Sequence, residues 1–372
     1  MDFAVGMKVS LAPALIGHAF QQTALLAMLP LIASRLGLSD SAVGTVVALG
    51  MAAATLTIPL MGLVGTRRLV RPTLVAMIIC SVGLGALLVV PLAPAAALSA
   101  LLVLRLVQGM SAATVLVHAQ TASLSDESRS REKLAATQSF AGIGRAASAV
   151  LVGPLVAVSI VLPMLPAIVG GVWSLVAGCR DTRPIARETR GLAPPDLKSL
   201  VLPFLVQSSL GVTHVSLAPL LAAQPGASDL SAATHAGFAL AAANLGLLAA
   251  HRFLTARTGL AGMRVAAMVG SAALFAIALF PASVSVVALS AVVGAASAML
   301  LTHNLHGALT QSGGRSVSQA AWNATVSTGG LAAGALIGSA VLRTGPDHAV
   351  ALAAAIMATA VLTLSSPRNP PT

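Results

Sequence analysis

Long apolar runs with almost no charge recur along the entire chain, and no other feature limits its fold so severely. Cut at charge clusters and at Pro or Gly breaks, the sequence yields twelve of them, at about 9–34, 41–65, 72–93, 96–122, 134–159, 161–179, 199–223, 231–253, 263–281, 283–308, 317–342 and 347–366. A helix needs roughly 20 mostly apolar residues to cross the hydrocarbon of a bilayer, so the prediction is an all-α integral membrane protein with 12 transmembrane helices. Composition agrees, with 57% hydrophobic and 8% charged residues, where a soluble domain carries about a quarter charged. The spans leave only short connections, which excludes a large soluble catalytic domain. Three cuts rest on prolines alone, at Pro91 and Pro94, at Pro163 and Pro166, and at Pro281, so counts of eleven and thirteen stay open. The first run exceeds a signal-peptide core and leads into further spans, and it is read as a retained first helix.

Charge placement tests the count. Lys8, Arg67, Arg68, Arg71, Arg129, Arg131, Lys133, Arg180, Arg183, Arg187, Arg190, Lys198, Arg252, Arg257, Arg264, Arg315 and Arg368 fall on one side of alternating loops, and only Arg35 and Arg343 on the other. Positive charge is retained in the cytoplasm, so both termini are expected inside a cell inner (plasma) membrane crossed many times. The same bias accounts for the net charge of +11, and no nucleic-acid partner is needed to explain it. Cys80 and Cys179 lie far apart in or beside apolar runs, which supports neither a disulfide framework nor a Cys-based metal site.

The richest basic stretch, near the middle of the chain, also carries Pro184, Gly191, Pro194 and Pro195. It divides the chain into a bundle of six helices over 1–180, a cytoplasmic linker over 181–198 and a second bundle of six over 199–372. Such halves predict a repeat, and an offset of 185 residues supplies one. Leu104, Val107, Gly109, Ala113, Leu116 and His118 meet Leu289, Val292, Gly294, Ala298, Leu301 and His303. Farther on, Gly144, Ala147, Leu151 and Gly153 meet Gly329, Ala332, Leu336 and Gly338.

All ten acidic residues lie in loops or at span ends, whereas Arg105 and Arg145 fall near span centres. A charge at that depth costs several kcal/mol unless something compensates it. Helix carbonyls, cavity water or a visiting anion are the candidates, and the shortage of carboxylates adds weight to the anion. The competing reading is a fixed network of arginine, glutamine and backbone that holds helices together. Ser290 and Gly330 occupy the matching places in the second half, so any positive field would come from the first. His18, Gln21 and Gln22 share one helix face, and Arg105, Gln108 and Gly109 share another, which suggests a common aqueous cavity. Gln21, Gln22, Gln108, His18, His214 and Asn244 join the two arginines as candidate substrate-binding residues. With no carboxylate in the membrane, His18 and His214 are the default proton carriers, because imidazole titrates near neutral pH. His118 and His303, at repeat-related places near the cytoplasmic ends of their helices, read as a gate or rim pair. Gly153-Pro154 gives a kink with freed backbone groups, a second candidate gate element, although ordinary small-residue packing explains it equally well. His303-x-x-His306 lacks a third ligand, no phosphate-binding loop is present, and neither metal nor cofactor is expected.

The stretch Leu102, Arg105, Gln108, Gly109, Ala112 and Ala113 reproduces the pattern L-x-x-R-x-x-Q-G-x-x-A-A of the major facilitator superfamily (MFS). With twelve spans, two repeated halves and a mid-chain linker, the chain resembles that superfamily over its whole length. The resemblance implies two pseudo-symmetric bundles that alternate access to a central cavity, a monomer, and a place for Arg105 associated with proton coupling or cavity electrostatics. Two departures stand out. Between spans 2 and 3 the family pattern G-x-x-x-D-R-x-G-R-R keeps Gly62, Arg67 and Arg71 but has Thr66 for the Asp and Leu69 for the Gly. Span 5 keeps only Gly153-Pro154 of the antiporter pattern G-x8-G-x3-G-P-x2-G-G, with Ala149 and Ala157 at other glycine positions.

The expectation is a secondary transporter, not an enzyme, that exports a small polar or anionic organic molecule, with protons as coupling partner and the bilayer as its medium. Siderophore or metallophore exporters would suit an Arg-bearing cavity poor in aromatics. A multidrug efflux antiporter is the alternative, although such carriers usually rely on an intramembrane carboxylate and aromatic walls. An importer of organic anions is another.

Overall fold

A computed structural model describes residues 11–64, 66, 68–124, 130–177, 197–254, 259–311 and 316–364. Within them every regular element is helical: α1 Ala12–Ala27, α2 Leu29–Leu36, α3 Asp40–Val64, α4 Val70–Leu87, α5 Pro94–Leu124, α6 Ser130–Val158, a 3-10 turn Leu162–Met164, α7 Leu165–Val176, α8 Leu197–Ala222, α9 Asp229–Phe253, α10 Leu260–Leu279, α11 Ser283–Gln311, α12 Ser316–Val341 and α13 Pro346–Thr363. The expected linker lies outside the described residues apart from the start of α8, as do Cys179 and the side chains of Gln138 and His306.

The chemistry of the bilayer shows in how the helices sort their residues. On α4 the buried positions Leu74, Met77, Ser81 and Leu84 follow helical spacing, while Val75, Ile79 and Val82 on the opposite face are exposed. A soluble helix would carry charge on that outer face; here both faces are apolar, and the polar group is turned inward.

Ten helices are long and apolar enough to cross a membrane, and the pair α1–α2, bent by 70°, makes an eleventh. The bend has a local cause. Pro30 stands at the start of α2 and brings no N–H to continue the helical ladder. At the sixth expected span, read over 161–179, the described apolar helix is Leu162–Val176, and residues 178 and 179 lie outside the described residues. Pro163 and Pro166 stand at its start, where a 3-10 turn, Leu162–Met164, leads into α7. It is held by close backbone contact, since any side chain on Gly170 would overlap the Pro13 carbonyl and any on Gly17 the Pro166 carbonyl. Ser174 Oγ also accepts from the Ala14 N–H at 3.2 Å.

Helix packing falls into two groups. In the first, α3 and α4 pack on α5, and α1 packs on α6 and α7; in the second, α9 and α10 pack on α11, and α8 on α12 and α13. The groups meet chiefly where α3 lies on α12 and α6 on α9. The repeated glycines do equivalent work. Gly109 sits against the Gly50 carbonyl of α3, and Gly294 against the Ala243 carbonyl of α9, each too close for a Cβ. Farther along, Gly144 sits on Ile16 of α1, but its functional counterpart is Gly330 on Phe204 of α8, one residue beyond the expected Gly329.

Contacts between the groups gather at one end, called here the Asp40 end. Ser34 Oγ donates to Asp229 Oδ2 at 2.8 Å, and Arg343 Nε donates to Ser41 Oγ at 3.2 Å. Gly44 on Ser339 and Gly153 on Thr234 continue the seam inward. The opposite end holds His118.

Candidate functional site

Arg105 and Gln108 are three residues apart on α5, so both side chains leave one face of the helix. They turn into the first helix group and not toward open space: Arg105 is 2% exposed, and Gln108 and Gln21 are fully buried. Arg105 Nη1 donates to Gln108 Oε1. Gln108 Nε2 donates to Gln21 Oε1 on α1 at 2.5 Å and lies 3.4 Å from Ser81 Oγ on α4. Ser81 shares its single hydroxyl proton between Gln21 Oε1 at 2.9 Å and the Met77 carbonyl at 2.8 Å. Gln21 Nε2 reaches Met164 Sδ, in the 3-10 turn before α7, at 3.0 Å. One chain of hydrogen bonds therefore ties α1, α4, α5 and the approach to α7.

That chain orients the guanidinium without neutralising it. Its acceptor is a neutral amide, and Arg105 Nε has no partner. Gly50 on α3 leaves the room for it, because a Cβ there would stand 3.3 Å from Nε. His18 on α1, half-buried with Nδ1 unpartnered, feels the Arg105 charge. Uncompensated positive charge in a low-dielectric bundle acts over a longer distance than it would in water.

Arg145 behaves differently. It lies mid-helix in α6, yet its side chain is exposed, and Nε makes only a 3.4 Å bond to the Ala141 carbonyl of its own helix. His214 on α8, in the other group, feels the Arg145 charge. The helices α6 and α8 are not a packed pair, and α1 packs on both. Gln22 and His214 are half-buried, and so is Asn244, whose Nδ2 donates to Leu240 O at 2.8 Å within α9. Thus Arg145 is exposed and His214, Gln22 and Asn244 are partly so, while Arg105, Gln108 and Gln21 are enclosed.

The residues read as gate elements also separate. His118 is buried, and its Nδ1 is 2.8 Å from Thr66 Oγ1, so it clamps the end of α3 to α5. Thr66 is the residue that replaces the family's Asp; a hydroxyl–imidazole contact occupies its place. His303, half-buried on α11, neighbours Asn304, whose Nδ2 donates to the Ser199 carbonyl at 2.8 Å. Gly153 lies at the seam against Thr234 of α9, with Pro154 next to it inside α6.

Ser81, Met164 and Gly50 complete the Arg105 network, and no sequence pattern selects them from many similar residues. Asp40 and Asp229, which face each other near the seam, did carry a signal. Ser39-Asp40 and Ser228-Asp229 open equivalent helices in the two groups.

Two repeated groups of membrane-spanning helices, joined at one end with polar and cationic side chains between and within them, define a multi-pass membrane carrier. The model of the Major Facilitator Superfamily matches residues 11–306, and the chain belongs to that superfamily. It is a secondary transporter and not an enzyme. Among solved structures it resembles the nucleoside transporter NupG at 12% identity, with a TM-score of 0.72 and coverage of 96% of this chain and 98% of that one. It also resembles a bacterial homologue of the human lysosomal transporter Spinster, in an inward-facing and occupied conformation, at 15% identity, TM-score 0.65 and coverage of 98% and 95%. At these identities the likeness concerns the fold. No curated protein sequence matches the chain.

Proposed function

We propose that the chain exports a small anionic organic molecule across the inner membrane, coupled to protons. The observation that carries this reading is Arg145, a cation exposed in the middle of a span, while every acidic residue of the sequence stands at a span end or in a loop. A carrier for lipophilic cations would place the opposite charge there. Positive loop charge makes the His118 end cytoplasmic, with both termini, and the Asp40 end external. In that frame the halves, 1–180 and 199–372 joined by a linker over 181–198, are closed outside and ready to load from the cytoplasm.

The anion pairs with Arg145, contacts Gln22, Asn244 and His214, and lies in the positive field that Arg105 projects past His18. The halves then rock about the α3–α12 and α6–α9 contacts, so that the external seam opens beside the Gly153-Pro154 kink and the cytoplasmic end closes around His118 and His303. His18 or His214 carries the coupling proton through the return step, and the carrier works as a monomer.

Untargeted mass spectrometry of cells lacking or overproducing the protein, with iron limitation as one condition, identifies the cargo. An anionic metabolite retained in the deletion strain and enriched outside the overproducer is the expected result. Altered sensitivity to cationic drugs with no anion moving would replace this reading by multidrug efflux.

A further inference from the structure

The structure assigns a proton-dependent latch to the Asp40 end: Asp40 of α3 and Asp229 of α9, one from each half, hold the seam shut best when a proton sits on Asp40. The helices α3 and α9 both begin with Ser-Asp. In each the serine supplies the cap, Ser39 Oγ accepting from the Ala42 N–H at 3.2 Å and Ser228 Oγ from the Ser231 N–H at 3.1 Å. Ordinarily an Asp at a helix start is occupied by that task. Here both carboxylates are left free of it; Asp40 is partly withdrawn from water, and Asp229 across the seam is close enough for its charge to act on Asp40. With Ser34, Ser39, Pro30 and Pro219 they line a cavity of about 460 Å³ between the halves.

The two are not equivalent. Ser34 Oγ donates to Asp229 Oδ2 at 2.8 Å across the seam. Among the described residues no hydroxyl or amide is bonded to the Asp40 carboxylate. Two like charges at a closing seam oppose closure, and the unsupported member is the one that accepts a proton to relieve it. Arg343, in the turn after α12, is the nearby cation, but it is engaged with Ser41 Oγ at 3.2 Å. The remaining charged or titratable groups at this end are Arg35 of α2, bonded to the Leu88 carbonyl; His235 of α9, bonded to the Ser231 carbonyl; and Asp347 with His348 of α13, 3.9 Å apart and exposed. The ends of α5 and α8 that reach this seam add none. Among the described residues none of these bonds to either carboxylate of the pair, so the repulsion stands unless a proton removes it.

Separating the halves separates the charges and releases the proton. By linkage, acid therefore favours the closed seam, and the closed-to-open ratio should rise by up to about tenfold per pH unit through the titration of Asp40. The latch concerns the seam alone; it depends on the halves parting at this end, not on the cargo being an anion.

The test uses the full chain in nanodiscs, with Cys80→Ser and Cys179→Ser as background and spin labels at Leu38→Cys and Ala223→Cys, one on each side of the seam. Pulsed dipolar distances between pH 5 and 8 should show the short-distance population growing with acid. Asp40→Asn should hold that population high and flat with pH, and Asp229→Asn should raise it and weaken its pH dependence, because the repulsion is gone while the partial burial of Asp40 remains. A pH response that survives in both variants overturns the latch, and so does a parent with no pH response. Should one variant fail to fold, the other and the parent titration decide. Loss of the anion reading, shown by normal transport in Arg145→Ala, would leave these distances unchanged.

Discussion

The two halves share a plan but not an interior. In the first, Arg105, Gln108, Gln21 and Ser81 form a side-chain network in a buried core. In the second, Ser290 stands at the place of Arg105 with its hydroxyl unpartnered, and Val293, 2% exposed, stands at the place of Gln108. What holds the second half are single side-chain bonds to neighbouring helix carbonyls, Ser209 Oγ to Ala353 and Ser271 Oγ to Ala354, both at 2.8 Å. Such bonds fix helices without storing charge. The same glycine seats recur in both halves, at Gly109 and Gly294, while the mid-span cations Arg105 and Arg145 stand in the first half alone, with Ser290 and Gly330 at their places in the second.

The largest break in that comparison is predicted for Arg145→Ala. Transport of the anion found by metabolite comparison should disappear, while the thermal unfolding midpoint in detergent stays near the parent's, because the exposed guanidinium makes only a bond within its own helix. Normal transport by this variant would sink the anion-anchor reading. Gly330→Arg, which writes the cation into the second half against Phe204, should fail for a different reason, overlap with backbone.

Next in size is the network itself. Gln108→Leu removes the neutral acceptor of a buried guanidinium, and losing a hydrogen bond to a buried charged group costs about 2 kcal/mol. The midpoint should fall by several degrees. Copying the first half into the second tests the same physics in reverse: Ser290→Arg alone should destabilise by a similar amount, and adding Val293→Gln should recover roughly half of it, the worth of one hydrogen bond to a charge. No recovery in the double variant would show that the network needs its α1 and α4 members as well.

Gly109→Ala and Gly294→Ala should be alike, each about 1–3 kcal/mol destabilising, since both press a methyl into a facing carbonyl. A large difference between them would mean that the repeat is a likeness of sequence and not of packing.

The same contrast explains what could be read without coordinates. Helices and their apolar faces follow from one-dimensional periodicity, so the spans and the Gly109–Gly294 correspondence were legible. The place of Gly144's partner slipped by one residue, because helix phase depends on how α12 sits against α8. Gln21 with His18 and Gln22 shares one helix face, and Arg105 with Gln108 another, yet a face does not say which neighbour covers it. Arg105, Gln108 and Gln21 are enclosed by α4 and the 3-10 turn through Ser81 and Met164, residues no pattern distinguishes. Arg145 carries the same sequence signal as Arg105, and only the structure separates an exposed cation from a buried one.

The smallest predicted effect separates structure from function most sharply. Ser81→Ala and Ser209→Ala each delete one hydroxyl that bridges helices, and each should cost about 1 kcal/mol, the usual net worth of such a bond. In the first half the loss loosens Gln21, whose Oε1 also receives Gln108, and through it the orientation of Arg105. In the second half the Ala353 carbonyl simply loses one donor. Matched unfolding midpoints with reduced transport in Ser81→Ala only would show that the polar interior of the first half tunes the carrier's field. Equal transport in both would mean that Arg105, however expensive, is a structural rivet and that Arg145 works alone.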